Sequence, residues 1–259
     1  MAAITHRKVI FFESIRIACK NCSLASACLP GGLAPEDVEQ LEALVERSRP
    51  FHRGDVLFRH GEPLRALYVV KTGSVKTCAP GMNAEEQVLG FYLPGEPIGL
   101  GGIAQHCHSR TARVLETSAI CEIPYLPLTQ LATTLPALQR QLYHLLSREL
   151  NQQSEMLLLL GRKHAAERLA TFLTDLSQRF GRRGLSATEF TLSMSRHDIS
   201  NYLGLAVETI SRLFSRFQAD GLLQVDRKQI KILNSVALKR LSGAPVTPPP
   251  RRHRSHQQS

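Results

Sequence analysis

The spacing of apolar residues changes once along this chain, and no other feature limits the possible folds as much. From about Arg49 to Pro124 the apolar runs are short and bounded by turn residues. Arg49-Pro-Phe-His-Arg-Gly-Asp-Val-Leu-Phe-Arg-His-Gly-Glu-Pro63 reads as turn, strand, turn; Leu67 to Val70 is a second strand, closed by Lys71-Thr-Gly73, and Val75 opens another. Gly54, Gly61, Gly73, Gly81, Gly90 and Gly95 recur with the rhythm of a small antiparallel roll and are read as turn formers. After Pro136 the period becomes helical. Tyr143, Leu146, Leu150, Gln153, Leu157 and Leu160 alternate steps of three and four, the heptad seam of one long helix. A helix with one narrow apolar stripe pairs with a copy of itself, or lays the stripe on its own barrel. Gln153 interrupts the stripe with an amide, which costs stability and fixes register. Glu149 and Glu155 nearby are expected to bring like charge around a two-fold axis, which makes the dimer reversible.

Four cysteines add a chemical constraint. Cys19, Cys22 and Cys28 stand in Cys-Lys-Asn-Cys-Ser-Leu-Ala-Ser-Ala-Cys, and Cys121 follows much later. A Cys-x-x-Cys pair turns two thiolates toward one centre, a short loop brings a third, and the fold must supply the fourth. Thiolates in that number suit zinc or an iron–sulfur cluster, and a thiol–disulfide switch uses the same residues. With no secretory leader expected, the six cysteines of this 259-residue chain argue for ligation or redox sensing over structural disulfides. Cys78 and Cys107 fall outside the set, and His106-Cys107-His108 reads as an exposed loop.

The C-terminal half reads as a DNA-binding unit. An amphipathic helix from His164 to Phe180 carries Leu169, Phe172, Leu173 and Leu176 on one face and ends at Gly181-Arg-Arg-Gly184. Ser195 and Asp198 form a capping box for a helix through Leu203, and Gly204 allows a left-handed turn into the next helix. That second helix buries Ile210, Leu213, Phe214 and Phe217, leaving Val207, Glu208, Ser211 and Arg212 on the opposite face, where a recognition helix meets base edges. Arg212 can donate twice to guanine, Glu208 can accept from cytosine N4, Val207 can touch a thymine methyl, and Ser211 can serve a base or a phosphate. Leu222 to Val225 and Ile230 to Leu233 read as a wing, with Lys228 and Lys231 placed for phosphates. A net charge of +10 fits a polyanionic partner, double-stranded DNA.

Taken together, these residues resemble the fumarate and nitrate reduction regulators, within the catabolite-activator (CRP/FNR) family. The resemblance runs from Cys19 to about Leu241. It rests on the cysteine triplet, Leu115-Glu-Thr-Ser-Ala-Ile-Cys121-Glu-Ile-Pro, Ala166-Glu-Arg-Leu-Ala and Tyr202-Leu-Gly-Leu-Ala-Val-Glu-Thr-Ile-Ser-Arg212. It implies an α+β chain: a cysteine-rich cluster-binding segment (1–30), an antiparallel β-roll of the cyclic-nucleotide-binding jelly-roll kind (31–135), a dimerisation helix (136–162) and a winged helix-turn-helix (163–241). The basic tail (242–259) lies beyond the resemblance and is read as disordered because it cannot bury enough apolar area to fold. The resemblance further implies a 4Fe-4S cluster on Cys19, Cys22, Cys28 and Cys121 that forms without oxygen, promotes a homodimer and so permits binding to a palindromic TTGAT…ATCAA site, read by Glu208, Ser211 and Arg212. Thr117 and Ser186 fall where the family touches RNA polymerase. Two departures stand out. Gln153 replaces an acidic seam residue, and Lys20, Asn21 and Leu24 differ between the cysteines, where neighbours tune cluster lability.

Three other functions fit the sequence less well. Arg110-Thr111-Ala112 resembles the phosphate-holding part of a cyclic-nucleotide cassette, but alignment through Gly95-Glu-Pro-Ile-Gly99 puts Leu100 where a glutamate must accept from the ribose, leaving that hydroxyl unpaired. A regulator on the same scaffold sensing zinc or thiol redox is the other alternative. Catalysis is not expected: Gly99-Leu-Gly-Gly-Ile-Ala104 is a loose dinucleotide fingerprint with no helix after it to receive a phosphate. The apolar stretch Val9–Phe12 is too short for a signal-peptide core, and no stretch has the length of a membrane span, so a cytoplasmic protein with no membrane partner is expected.

Overall fold

The computed structural model describes residues 19–47, 50–81 and 85–243. The first eighteen residues of the expected cluster segment and residues 244–259 of the expected basic tail lie outside the described residues. Two 3-10 turns, Cys19–Asn21 and Ala25–Ala27, lead into helix α1 (Pro35–Leu44). Eight strands follow: β1 (Glu46–Arg47), β2 (Val56–Phe58), β3 (Ala66–Thr72), β4 (Val75–Pro80), β5 (Glu86–Tyr92), β6 (Pro97–Ile98), β7 (Thr111–Val114) and β8 (Ala119–Pro124). They form two antiparallel four-stranded sheets, ordered β1-β8-β3-β6 and β2-β7-β4-β5. The α+β fold with an N-terminal β-roll is as the sequence suggests.

The apolar run on β3 is continuous because both faces of the strand are covered. Ala66, Tyr68 and Val70 point between the two sheets, alongside Val75, Ala112, Val114 and Ile120. Leu67 and Val69 point the other way, onto a second core with Leu29, Leu41, Leu128 and Leu138. The sharp turn after β3 needs Gly73: its φ is 82°, and a Cβ there would lie 2.1 Å from Ser118 Oγ. Gly90 departs from the turn-former reading. It lies inside β5, opposite Thr77 at a shift in the β4–β5 register, so it serves a bulge. His108 also departs from expectation. It is buried and stacked on Phe58 with ring centroids 3.6 Å apart, so the His106-Cys107-His108 segment is not simply an exposed loop.

Helices α2 (Tyr125–Thr134) and α3 (Pro136–Arg162) close this unit. α3 carries two heptad stripes. Leu138, Leu145 and Leu159 are buried on the chain's own cores, whereas Tyr143, Leu150 and Leu157 are 60%, 68% and 73% exposed. Glu149 does not stand on the outer face as expected. It is turned inward, 18% exposed, against Arg110. The expected charge repulsion at a two-fold axis is therefore not supplied by Glu149, because a buried carboxylate beside a guanidinium is already compensated.

The C-terminal unit comprises α4 (Ala165–Gly181), β9 (Glu189–Thr191), α5 (Arg196–Leu203), α6 (Val207–Ala219), β10 (Leu223–Asp226), β11 (Gln229–Ile232) and α7 (Ser235–Leu241). The wing has three strands, because β9 pairs with β11 beside the hairpin the sequence suggests. Its core is continuous with the outer face of the β-roll: Phe91 packs against Phe172 and Tyr202. Polar contacts seal the same junction. Glu96 pairs with Arg179 and Arg183 at 2.5 Å each. The Asn201 amide accepts from Val88 N and donates to the Glu86 carbonyl, at 2.6 and 3.0 Å. Among the described residues no helix is long and apolar enough to cross a membrane.

Candidate metal centre and nucleic-acid interface

The cysteine segment is coiled by short-range backbone bonds. The N–H of Cys22 donates to the Cys19 carbonyl, that of Ala25 to Cys22, and that of Cys28 to Ala25, at 3.0 to 3.3 Å. The segment is tied down at both ends. Cys19 N donates to Glu42 of α1 at 2.9 Å, and the Cys28 carbonyl accepts from the Gln141 amide of α3 at 2.9 Å. Leu29, fully buried, anchors the segment in the core shared with α1, α2 and α3. Gly31 lets Gln141 come close, since a Cβ there would lie 2.9 Å from Gln141 Nε2. Cys121 comes from β8, where Val69 is its partner across the sheet.

These elements bring Cys19, Cys22, Cys28 and Cys121 to one pocket, walled by Leu41, Val69 and Ile123, with Lys71 at its edge. None of the six cysteines forms a disulfide, and Cys78 and Cys107 lie elsewhere. Burial pushes the Cys28 thiol up to about 12, and the nearby Cys121, Cys19 and Cys22 thiols push in the same direction. Among the described residues no three His, Cys, Asp or Glu side chains stand as a ready metal-ligand group. The donor chemistry nevertheless fits a thiophilic centre: four thiols gathered between apolar walls.

The helix pair is built by local capping. Ser195 N donates to Asp198 Oδ2 at 2.9 Å and Asp198 N to Ser195 Oγ at 3.0 Å. Gly204 takes φ 61° between α5 and α6. Ile210, Phe214 and Phe217 are buried beneath α6, with Leu213 half-buried, and the guanidinium of Arg196 lies 3.4 Å above the Phe214 ring. Glu208, Ser211 and Arg212 are exposed near the start of α6, and Val207 is half-buried. Ser211 Oγ donates to the Val207 carbonyl at 3.0 Å, which leaves the lone pairs of that oxygen as acceptors. Lys228 and Lys231 are exposed on the wing, whose turn places Arg227 at φ 53°. Thr117 and Ser186 are both exposed.

Sequence reading missed the residues that join the parts. Arg168 donates to the carbonyls of Leu160, Lys163 and Leu203 at 2.8 to 3.0 Å, binding the end of α3 to the end of α5. Gln141, Glu149 and Asn201 likewise act at long range, and no local pattern announces them.

A winged helix-turn-helix carried on a β-roll defines a class of DNA-binding transcription regulator. The family models agree: a Crp-like helix-turn-helix domain matches residues 167–241 and a cyclic nucleotide-binding domain matches residues 48–134. The chain is 48% identical over 225 residues to the transcriptional activator protein anr of Pseudomonas aeruginosa, covering 87% of this chain and 92% of that protein. It is 43% identical over 227 residues to the fumarate and nitrate reduction regulatory protein of Escherichia coli, covering 88% and 91%. The structure of FixK2 from Bradyrhizobium japonicum superposes with a TM-score of 0.72 at 30% identity, over 78% of this chain and 99% of that one. The chain belongs to the CRP/FNR family, among the FNR and Anr transcriptional activators. These relatives are regulators, not enzymes.

Proposed function

We propose that this regulator senses oxygen through a 4Fe-4S cluster held by Cys19, Cys22, Cys28 and Cys121. The observation that carries the reading is the shared pocket of these four thiols, with one of them hydrogen-bonded through its carbonyl to the long helix. When bound, the cluster supplies a redox centre that oxygen degrades. The chain's own residues turn its presence into DNA binding. The four thiolates pin residues 19–28 against β8, Leu29 and the Gln141–Cys28 bond hold α3 in place, and α3 presents Tyr143, Leu150, Gln153, Leu157 and Leu160 to a second copy, while Leu146, expected in the same seam, packs partly on the chain's own core. A homodimer then aligns two α6 helices on a palindromic TTGAT…ATCAA site, with Glu208, Ser211 and Arg212 reading each half and Val207 against a thymine methyl. Lys228 and Lys231 hold phosphates, and Thr117 and Ser186 contact RNA polymerase. On this reading the protein is cytoplasmic and activates, in some contexts represses, genes of anaerobic metabolism.

The test is to purify the protein without oxygen, record its visible spectrum, and measure palindrome binding before and after air. Broad visible absorption that bleaches together with loss of DNA binding is the expected result. A colourless protein loaded with zinc, or binding indifferent to air, overturns the oxygen reading and leaves the DNA reader in place.

The matched cyclic nucleotide-binding domain favours a second reading, a nucleotide ligand in the β-roll. Two residues oppose it: Leu100 is buried where an acceptor is required, and Arg110 is already paired with Glu149.

A further inference from the structure

Arg110, just before β7, is a mostly buried cation with a counter-charge from a distant part of its own chain. Its guanidinium is 20% exposed, and Nη1 lies 3.3 Å from Oε1 of Glu149 on α3. The same carboxylate oxygen accepts from the Tyr92 hydroxyl at 3.3 Å and from Gln153 Nε2 at 3.2 Å. The three donors come from the roll and from α3 itself, and they meet at one atom. Beside them is a cavity lined by Phe58, His108, Ser109 and the Gly99–Gly102 turn, into which Arg110 and Glu149 both reach. His108 is buried, and its Nδ1 has no hydrogen-bond partner.

A guanidinium in a glycine-walled hollow is the chemistry of an anion site. A cation so placed is costly without a partner. We propose that Glu149 is a tethered counter-ion: its carboxylate takes the place an external anion would take on Arg110, and so seats α3 on the β-roll without a small ligand. The arrangement makes the inner stripe of α3 electrostatically self-sufficient. Because Gln153 is one helical turn beyond Glu149, its amide is held by the same oxygen, and the one polar residue of the outer stripe is oriented from inside the chain. That last consequence rests on α3 being a dimerisation helix; the counter-ion role does not.

The test uses the full-length protein kept without oxygen, with inorganic phosphate as the probe at matched ionic strength. Glu149→Ala removes the charge and vacates the place beside Arg110. It should lower the thermal midpoint and weaken dimerisation at least tenfold in chloride buffer. Phosphate should restore both in Glu149→Ala, and should leave the wild type and the Arg110→Gln/Glu149→Ala double variant unmoved. A merely structural glutamate would give a loss that phosphate does not repair. The proposal is overturned if phosphate acts equally on the single and double variants, or if it stabilises the wild type through Arg110. Should Glu149→Ala not fold, Glu149→Asp, with its shorter reach, should show a partial phosphate response; no response overturns the proposal as well. Rescue of the midpoint with dimerisation unchanged throughout would uphold the counter-ion and overturn its link to the seam.

Discussion

Lys76 of β4 places its ammonium 2.6 Å from Oδ1 of Asp198, the residue whose other carboxylate oxygen closes the capping box of α5. The ion pair is 17% and 8% exposed. One aspartate thus starts the first helix of the DNA reader and fastens that helix to the β-roll, with Ser74–Ser193 and the Asn201 bracket beside it. Lys76→Ala is expected to destabilise the protein by about 3 kcal/mol, because it leaves a buried carboxylate with only its cap. Denaturant unfolding measures the loss, and Lys76→Ala/Asp198→Asn should recover part of it.

The same pair fixes a pH dependence. Burial favours the neutral form of Asp198, but the hydrogen bonds from Lys76 and Ser195 outweigh it and hold the carboxyl below its ordinary value of 3.8. A depressed carboxyl stabilises the fold above its unfolded value, and that contribution is lost as pH falls through the lower folded value. Docking of the DNA reader should therefore be indifferent to pH near neutrality and loosen only in acid. Lys76→Ala should show a smaller acid loss in an unfolding series from pH 6 to 3.

On α6, Arg212→Ala and Glu208→Ala should each cost about 1–3 kcal/mol of specific binding and relax preference at one base pair. Lys228→Ala on the wing should weaken all sequences alike and reduce the salt slope by about one. Binding titrations on matched and mismatched palindromes at two salt concentrations separate these outcomes.

The exposed stripe of α3 gives opposite expectations at neighbouring positions. Leu150→Ala and Leu157→Ala should weaken association strongly while leaving monomer stability nearly unchanged, because both side chains are exposed in the single chain. Gln153→Leu should tighten the dimer by removing a polar defect from the seam. Analytical sedimentation with parallel thermal unfolding distinguishes association from folding.

Gln141 offers a way to separate sensing from response. Gln141→Leu removes the bond to the Cys28 carbonyl, a neutral hydrogen bond worth about 1 kcal/mol. The visible spectrum of the anaerobic protein should persist, while the difference in dimerisation between anaerobic and air-treated samples narrows. An unchanged difference would show that Leu29 alone carries the link.

What could be read from the chain was whatever local chemistry writes within a few residues. The Ser195–Asp198 box, the Gly204 turn and the apolar spacing under α6 are of that kind, as are the period of α3 and the spacing of Cys19, Cys22 and Cys28. α1 carries a readable signal of its own, Pro35 at its first position with Glu36 and Asp37 behind it. α2 was harder, because Pro127 sits in its first turn and Leu126 is exposed where an amphipathic pattern would place a polar residue. The inward turn of Glu149 was not legible at all. Heptad counting places a residue on a helix face but does not say that Arg110, 39 residues earlier, waits opposite that face. The burial of His108 is hidden from the sequence for a similar reason, since the cover over it comes from Phe58.

Cys121 is held in a sheet with neighbours on both sides, whereas Cys19, Cys22 and Cys28 ride on a few turns of 3-10 backbone. The difference bears on chain entropy. Bringing the fourth thiol within reach of the other three requires closing a loop across most of the β-roll, and the folded sheets have already met that cost before any centre is assembled. The ten residues from Cys19 to Cys28 are likewise set by short-range backbone bonds and by the ties at Cys19 and Cys28. On the proposed reading, assembly or loss of a centre would therefore ask only for local adjustment of this segment and leave the roll intact, so that the cycle could be repeated many times without refolding the domain that carries it.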